Sequence, residues 1–230
     1  MSLTLPVRPS PAAQSEESRW PKTALWIVLG AMMIEVLFYT EVPIFRDPRR
    51  FIPNLINIPW VLIPHVVGGT LALLLGPIQF SRRMRLARPH LHRALGRVYV
   101  ISVIIAALLS FVLAGRIQEP QIIYFRLATG IQGAAWFIVT FAAFLTARHR
   151  HIRQHREWMV RSYALTCTFL GTRVLQPIPA WNRLGHVGFA MAILIITFFA
   201  LLIPDVALHW RELTTRNRML ESRGDATNQT

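Results

Sequence analysis

Thiols and acids are the groups this chain has least of. Its single cysteine, Cys167, excludes an internal disulfide, a two-thiolate metal site and a thiol-attached haem. Asp and Glu total 11 against 25 Lys and Arg, and no two carboxylates are placed for general acid–base work. There is no Gly-rich phosphate loop, no Ser-His-Asp spacing and no HExxH. Hydrolysis is therefore disfavoured, while proton relay and electron transfer stay open. The first twenty residues lack an apolar core, and no small-residue cleavage pattern follows the first apolar run. They read as a tail ahead of an uncleaved helix rather than a signal peptide.

Long apolar runs dominate the rest. They cover 24–40, 59–80, 98–115, 127–147, 158–175 and 187–203, each near the length a helix needs to cross about 30 Å of hydrocarbon. The fold class expected is all-α: an integral membrane protein of six transmembrane helices, with a core bundle of helices two to five. The expected organisation is a disordered cytoplasmic tail over 1–21, a six-helix domain over 22–210 and a cytoplasmic C-terminal tail over 211–230. The fifth run, with Arg161 and Arg173 inside it, has a re-entrant or interfacial segment as its competing reading.

The net charge of +14 is concentrated. Residues 81–97 hold Arg82, Arg83, Arg85, Arg88, Arg93 and Arg97 with no acid. Residues 148–161 hold Arg148, Arg150, Arg153, Arg156 and Arg161 against Glu157 alone. This alternation fits the positive-inside rule with both termini cytoplasmic. It predicts contact with anionic lipid and no nucleic-acid partner.

Ionisable groups within a bilayer are costly and point to a partner or a function. His65 lies about two turns inside the second run. Gly68, Gly69, Ala72 and Gly76 share its face. Those glycines form a seam for close helix packing or leave room for a flat macrocycle beside a ligand. Pro89 suits the first turn of the third helix, which puts His92 in the headgroup zone. His155 starts the fifth helix from the same side. His92 and His155 thus fall at similar depth, a workable geometry for two axial imidazoles on one iron. Arg93, Arg97, Arg156 and Arg161 cluster at that level. They suit haem propionates or lipid phosphates. His155, Met159, Ser162, Thr166 and Arg173 form a stripe, so the fifth helix is expected to face protein or a polar cavity. Arg126 and Arg173 sit in outer-leaflet portions, where Glu35 and Glu41 are candidate partners, and His186 is a candidate partner for His65.

Three stretches, H65-VVGGTLALLLGPIQF, H92-RALGRVYV and H155-REWMVRSYALT, together resemble a bacterial family of predicted membrane proteins, the domain-of-unknown-function 2306 family. The resemblance spans about 60–175 and marks His65, His92, Arg93, Gly96, Arg97, His155, Trp158, Arg161 and Tyr163 as its signature positions. It implies a bacterial inner membrane location and no settled activity. A weaker likeness is to six-helix, two-haem cytochromes of the ferric-reductase type. Those hold haem by histidines on helices two and four and on three and five. His92 and His155 match the second pair, and the fourth helix here has no histidine.

The leading expectation is a haem b-binding, cytochrome-like electron-transfer or redox accessory protein with a membrane redox partner. His92 and His155 are its axial ligands, His65 a second ligand or redox-site residue, and Arg93, Arg97 and Arg161 its propionate clamp. The alternatives are a non-enzymatic transporter or lipid- or anion-binding protein, and an assembly factor for a membrane complex.

Overall fold

A computed structural model describes residues 20–46, 58–116, 122–175, 178–179 and 183–227. For residues 20–22, 25, 40, 41, 44, 122, 186 and 211–227 it describes the backbone alone. The N-terminal tail, most of the first and third loops, part of the fifth, and any partner role of Glu41 or His186 therefore lie outside the described residues.

All described elements are helical. α1 spans Trp20–Val36 and runs on through a π-helical turn, Leu37–Glu41, into Val42–Arg46. Pro43 has no N–H to donate to the carbonyl four residues back, and a widened turn with Val42 N–H bonded to the Leu37 carbonyl absorbs the break. α2 spans Pro59–Phe80, which is the second apolar run residue for residue. A short helix, Arg82–Ala87, follows, capped by the Ser81 hydroxyl accepting from Met84 N–H at 3.2 Å. α3 spans Pro89–Arg116, α4 Ile122–Arg148, α5 Ile152–Leu175 and α6 Gly185–Thr227. α3 starts at Pro89, as expected. α6 continues as helix well past Pro204.

α2 packs on α3, α3 on α4 and α4 on α5, as successive hairpins should. The last helix also packs along both α4 and α5, so the core bundle is not confined to helices two to five. α1 is peripheral and reaches α2 and α5 through Val36, Leu73 and Leu170.

Among the described residues, four helices are long and apolar enough to cross a membrane: Pro59–Phe80, Pro89–Arg116, Ile123–Arg148 and Val187–Trp210. Six were expected. The apolar part of α1 is short, and α5 is too polar. The burial pattern gives the reason for the second. α3, α4 and α6 turn rows of large apolar side chains outward, such as Ile101, Ile105 and Leu108, or Leu127, Ile131 and Ile138, or Leu194, Phe198 and Leu202. α5 exposes no large apolar side chain after Ile152. It is walled in by its neighbours, so it has no need of the hydropathy that lipid contact demands.

Small residues set the closest approaches. A Cβ on Gly68 would lie 2.8 Å from the Ser102 carbonyl oxygen of α3, so the two backbones meet there. A Cβ on Gly76 would lie 2.1 Å from the Tyr163 ring. Pro77, next to it, denies the Leu73 carbonyl its usual helical donor. The Tyr163 hydroxyl reaches towards that carbonyl, at 3.4 Å. The glycine face below His65 is thus filled by α3 at Gly68 and by a tyrosine ring at Gly76. At those two positions it offers no room for a macrocycle.

Candidate functional site

Two polar sites lie at opposite ends of the bundle, joined by a buried hydroxyl cluster. The first is at the arginine-rich end. His155 donates Nδ1–H to the Ala143 carbonyl at 2.8 Å. A carbonyl only accepts, so in the neutral ring the lone pair is on Nε2. His92 lies near enough for charge on His155 to act on it, and its Nδ1 is buried without a hydrogen-bond partner. Gln79 is buried against Gly96, one turn along α3 from His92. Its Oε1 fills the space where a Gly96 Cβ would point, at 3.3 Å, and its Nε2 is likewise without a partner. Arg85 closes the end of α2 by donating to the Gln79 and Phe80 carbonyls at 3.4 and 3.2 Å.

The arginines expected as a clamp divide. Arg93 and Arg97 are exposed, and Arg93 contacts His90 Nδ1 at 3.0 Å. Arg161 instead forms an ion pair with Asp205 of α6 and stacks over Trp158, 5.1 Å from the ring centroid. It ties α5 to α6. Arg126 donates to the Ala114 and Gly115 carbonyls at 3.0 and 3.3 Å, where it meets the negative end of the α3 dipole.

The hydroxyl cluster joins α3, α4 and α5. Tyr99 Oη lies 2.8 Å from Ser162 Oγ and 3.2 Å from Thr166 Oγ1. Thr140 Oγ1 lies 2.7 Å from Ser162 Oγ. Trp136 Nε1 donates to Thr166 Oγ1 at 3.1 Å, and Thr166 donates to the Ser162 carbonyl at 3.0 Å. One assignment of hydrogens satisfies every contact. Thr166 has spent its hydrogen on a carbonyl, so Tyr99 donates to it. Ser162 then donates to Tyr99, and Thr140 to Ser162. Each donor is used once.

His65 is far from His92. Its Nδ1 bonds the Ala106 carbonyl at 2.8 Å, and Ala106 is 14 residues along α3 from His92, about 21 Å of helix rise. His65 therefore cannot share one iron with His92 and His155. It lines a cavity of about 320 Å³ enclosed by α2, α3, α4, α5 and α6. Thr129, Gln132, Thr168 and Arg173 are its other polar residues of note, Phe125, Phe169 and Phe189 its aromatic walls, and Trp136 and Thr166 its link to the hydroxyl cluster.

The sequence placed His92 and His155 together correctly in depth, and it identified the inward stripe of α5: Met159, Ser162 and Thr166 are buried. It missed Gln79, Tyr99, Thr140, Thr129, Thr168 and Asp205. A signal did exist for Tyr99, which lies seven residues after His92, as Ser162 lies seven after His155. Among the described residues, no group of three or more His, Cys, Asp or Glu is gathered for a metal ion.

Residues 62–210 match the family model described as Predicted membrane protein (DUF2306). No curated protein and no solved structure matches the chain.

Proposed function

The chain belongs to the Predicted membrane protein (DUF2306) family, and from that premise we propose that it spans the bacterial cytoplasmic membrane six times and holds haem b between His92 and His155. Its role in this reading is electron transfer, or that of an accessory to a membrane redox partner. α5 counts as a span because its neighbours shield it from lipid, and α1 because it continues through its π turn to Arg46. Both termini are cytoplasmic, on the side of the arginine-rich turns.

The observation that carries the haem reading is register. Two residues seven apart on a helix share a face to within about 20°. Tyr99 and Ser162 face one another, so His92 and His155, each seven residues earlier, face one another two turns nearer the basic end. His155 has the Nδ1–H to carbonyl bond that orients ligating imidazoles. His92, with a buried Nδ1 lacking a partner, fits less completely. Haem b supplies one-electron chemistry when bound. The chain's contribution is two imidazoles, the buried Gln79 amide against Gly96 one turn from His92, and the exposed Arg93 and Arg97 for propionates. Arg161, held by Asp205, keeps α5 in place.

A second reading rests on the exposure of Arg93 and Arg97 along with Arg82, Arg83 and Arg88. There the basic end binds anionic lipid headgroups and no haem.

The test is an absorption spectrum of protein purified from haem-supplied cells, oxidised and then reduced with dithionite. A Soret band with sharp reduced α and β bands is expected, and lost in His92→Ala and in His155→Ala while both stay folded. A featureless spectrum at good yield removes the haem reading and leaves the lipid one.

A further inference from the structure

The cavity around His65 is independent of the haem reading and has a chemistry of its own. Its volume, about 320 Å³, is at the small end of ligand sites, room for a ring system and not for a diacyl lipid. Phe125, Phe169 and Phe189 give it aromatic walls. Arg173 lines it too, but its guanidinium is already engaged, lying 5.1 Å from the Phe169 ring centroid and making other contacts. Recognition of a ligand therefore falls to neutral groups. His65 donates Nδ1–H to the Ala106 carbonyl at 2.8 Å, which leaves the lone pair of the neutral ring on Nε2, an acceptor. Among the described residues, no other hydrogen bond is made to that ring. The opposite need lies across the cavity. Thr129 and Gln132 line it from α4, and Thr168 from α5. The Thr129 and Thr168 hydroxyls are buried without a hydrogen-bond partner, and Gln132 brings an amide donor. α2 and α4 each pack on α3 and α5, so His65 and the α4 pair line the space from opposed walls. A buried hydroxyl without a partner is destabilising, and a ligand with an acceptor oxygen relieves it.

We infer that this cavity binds a flat hydroxyaromatic of the hydroquinone class. One hydroxyl donates to His65 Nε2, the oxygen across the ring accepts from Thr129, Thr168 or Gln132, and the ring lies among the three phenylalanines. Aromatic walls favour offset or edge contact with another ring. A diether of the same ring keeps that contact and loses the donor that His65 needs. A carboxylate offers acceptors alone and leaves Nε2 without a hydrogen. An aliphatic alcohol satisfies one wall and has no second oxygen for the other.

Two positions separate binding from folding. Gly69 lines the cavity, and a Cβ built on it meets nothing within 4 Å. A leucine there fills the cavity without disturbing the helix contacts that Gly68 and Gly76 make. Thr168→Val keeps the side chain's shape and removes a hydroxyl that has no partner, so the unliganded protein loses no bond by it.

The full chain, in phosphatidylcholine nanodiscs, is reduced with dithionite and desalted under argon, so that no redox heat enters. It is then titrated by calorimetry with menadiol, menadiol dimethyl ether, naphthoate and decanol, with empty nanodiscs subtracted. Saturable binding of one menadiol per chain is expected, with the other three at least about tenfold weaker. His65→Leu should weaken menadiol about tenfold. Thr168→Val should weaken it several-fold without lowering the melting temperature of the unliganded protein, and Gly69→Leu should abolish binding, also without lowering it. The dimethyl ether, naphthoate or decanol binding as tightly as menadiol overturns the inference. So does the absence of saturable menadiol binding, or full menadiol binding in folded Gly69→Leu.

Discussion

Tyr99 and Ser162, on two helices that both pack against α4, are joined by a 2.8 Å hydrogen bond with neither side chain reaching the surface. Because every hydrogen in their cluster has one possible destination, the phenol is both donor and acceptor. Tyr99→Phe removes both roles and leaves Ser162 and Thr166 each short of one contact. Polar contacts between membrane helices contribute about 0.6 kcal/mol on average and about 1.7 at most. A loss of about 1–2 kcal/mol is expected for Tyr99→Phe in reversible unfolding from bicelles. Tyr163→Phe gives up a long bond of 3.4 Å to the Leu73 carbonyl and a weak contact with the Cys167 thiol, and a loss of less than about 0.5 kcal/mol is expected. Equal effects of the two changes would refute the hydrogen assignment.

Gly76 and Gly69 share a helix and separate two meanings of a glycine in it. A methyl on Gly76 collides with the Tyr163 ring at 2.1 Å, and on Gly69 it meets nothing within 4 Å. Gly76→Ala should destabilise by about 1–3 kcal/mol through overpacking. Gly69→Ala should be neutral or slightly stabilising, since alanine costs the helix less conformational entropy. Combining Gly76→Ala with Tyr163→Leu should recover part of the loss, as a double-mutant cycle measures.

The turn between α4 and α5 carries a local conflict. His151 N–H bonds the Thr146 carbonyl at 2.9 Å and Arg150 N–H the Ala147 carbonyl at 3.1 Å, the paired bonds of a Schellman cap. That cap needs a left-handed residue, and Arg150 holds it with φ +60°, where glycine is usual. Arg150→Gly should therefore stabilise the chain by about 1 kcal/mol, read as a raised unfolding midpoint. A decrease would mean that the arginine side chain itself matters more than the backbone.

Much of this architecture is legible in the sequence, and the unread part has a common cause. Apolar run length locates α2 to within a residue, and Pro89 locates the start of α3, because both signals are local. The depth match of His92 and His155 follows from counting turns. What run length cannot show is which polar residues meet. Ser162, Thr166 and Thr140 are ordinary small hydroxyls until α3, α4 and α5 come together. Arg161 finds its acid 44 residues away, at Asp205. The cavity is a property of five helices at once. α5 fails a hydropathy test for the same reason that it is central: its neighbours, and not lipid, are its solvent.

Orientation is open to a direct test at two described positions. His149, in the turn after α4, and Arg183, just ahead of α6, are both exposed. They lie at opposite ends of α5 and its connections. Cys167 is the only native thiol, so a Cys167→Ala background is silent to thiol reagents. In that background His149→Cys should react with an impermeant maleimide only after cells are opened, and Arg183→Cys should react in intact spheroplasts. This is the pattern that an α5 spanning the membrane from the cytoplasmic side requires. Labelling of both thiols from the same side would make α5 re-entrant. It would also remove the six-span topology.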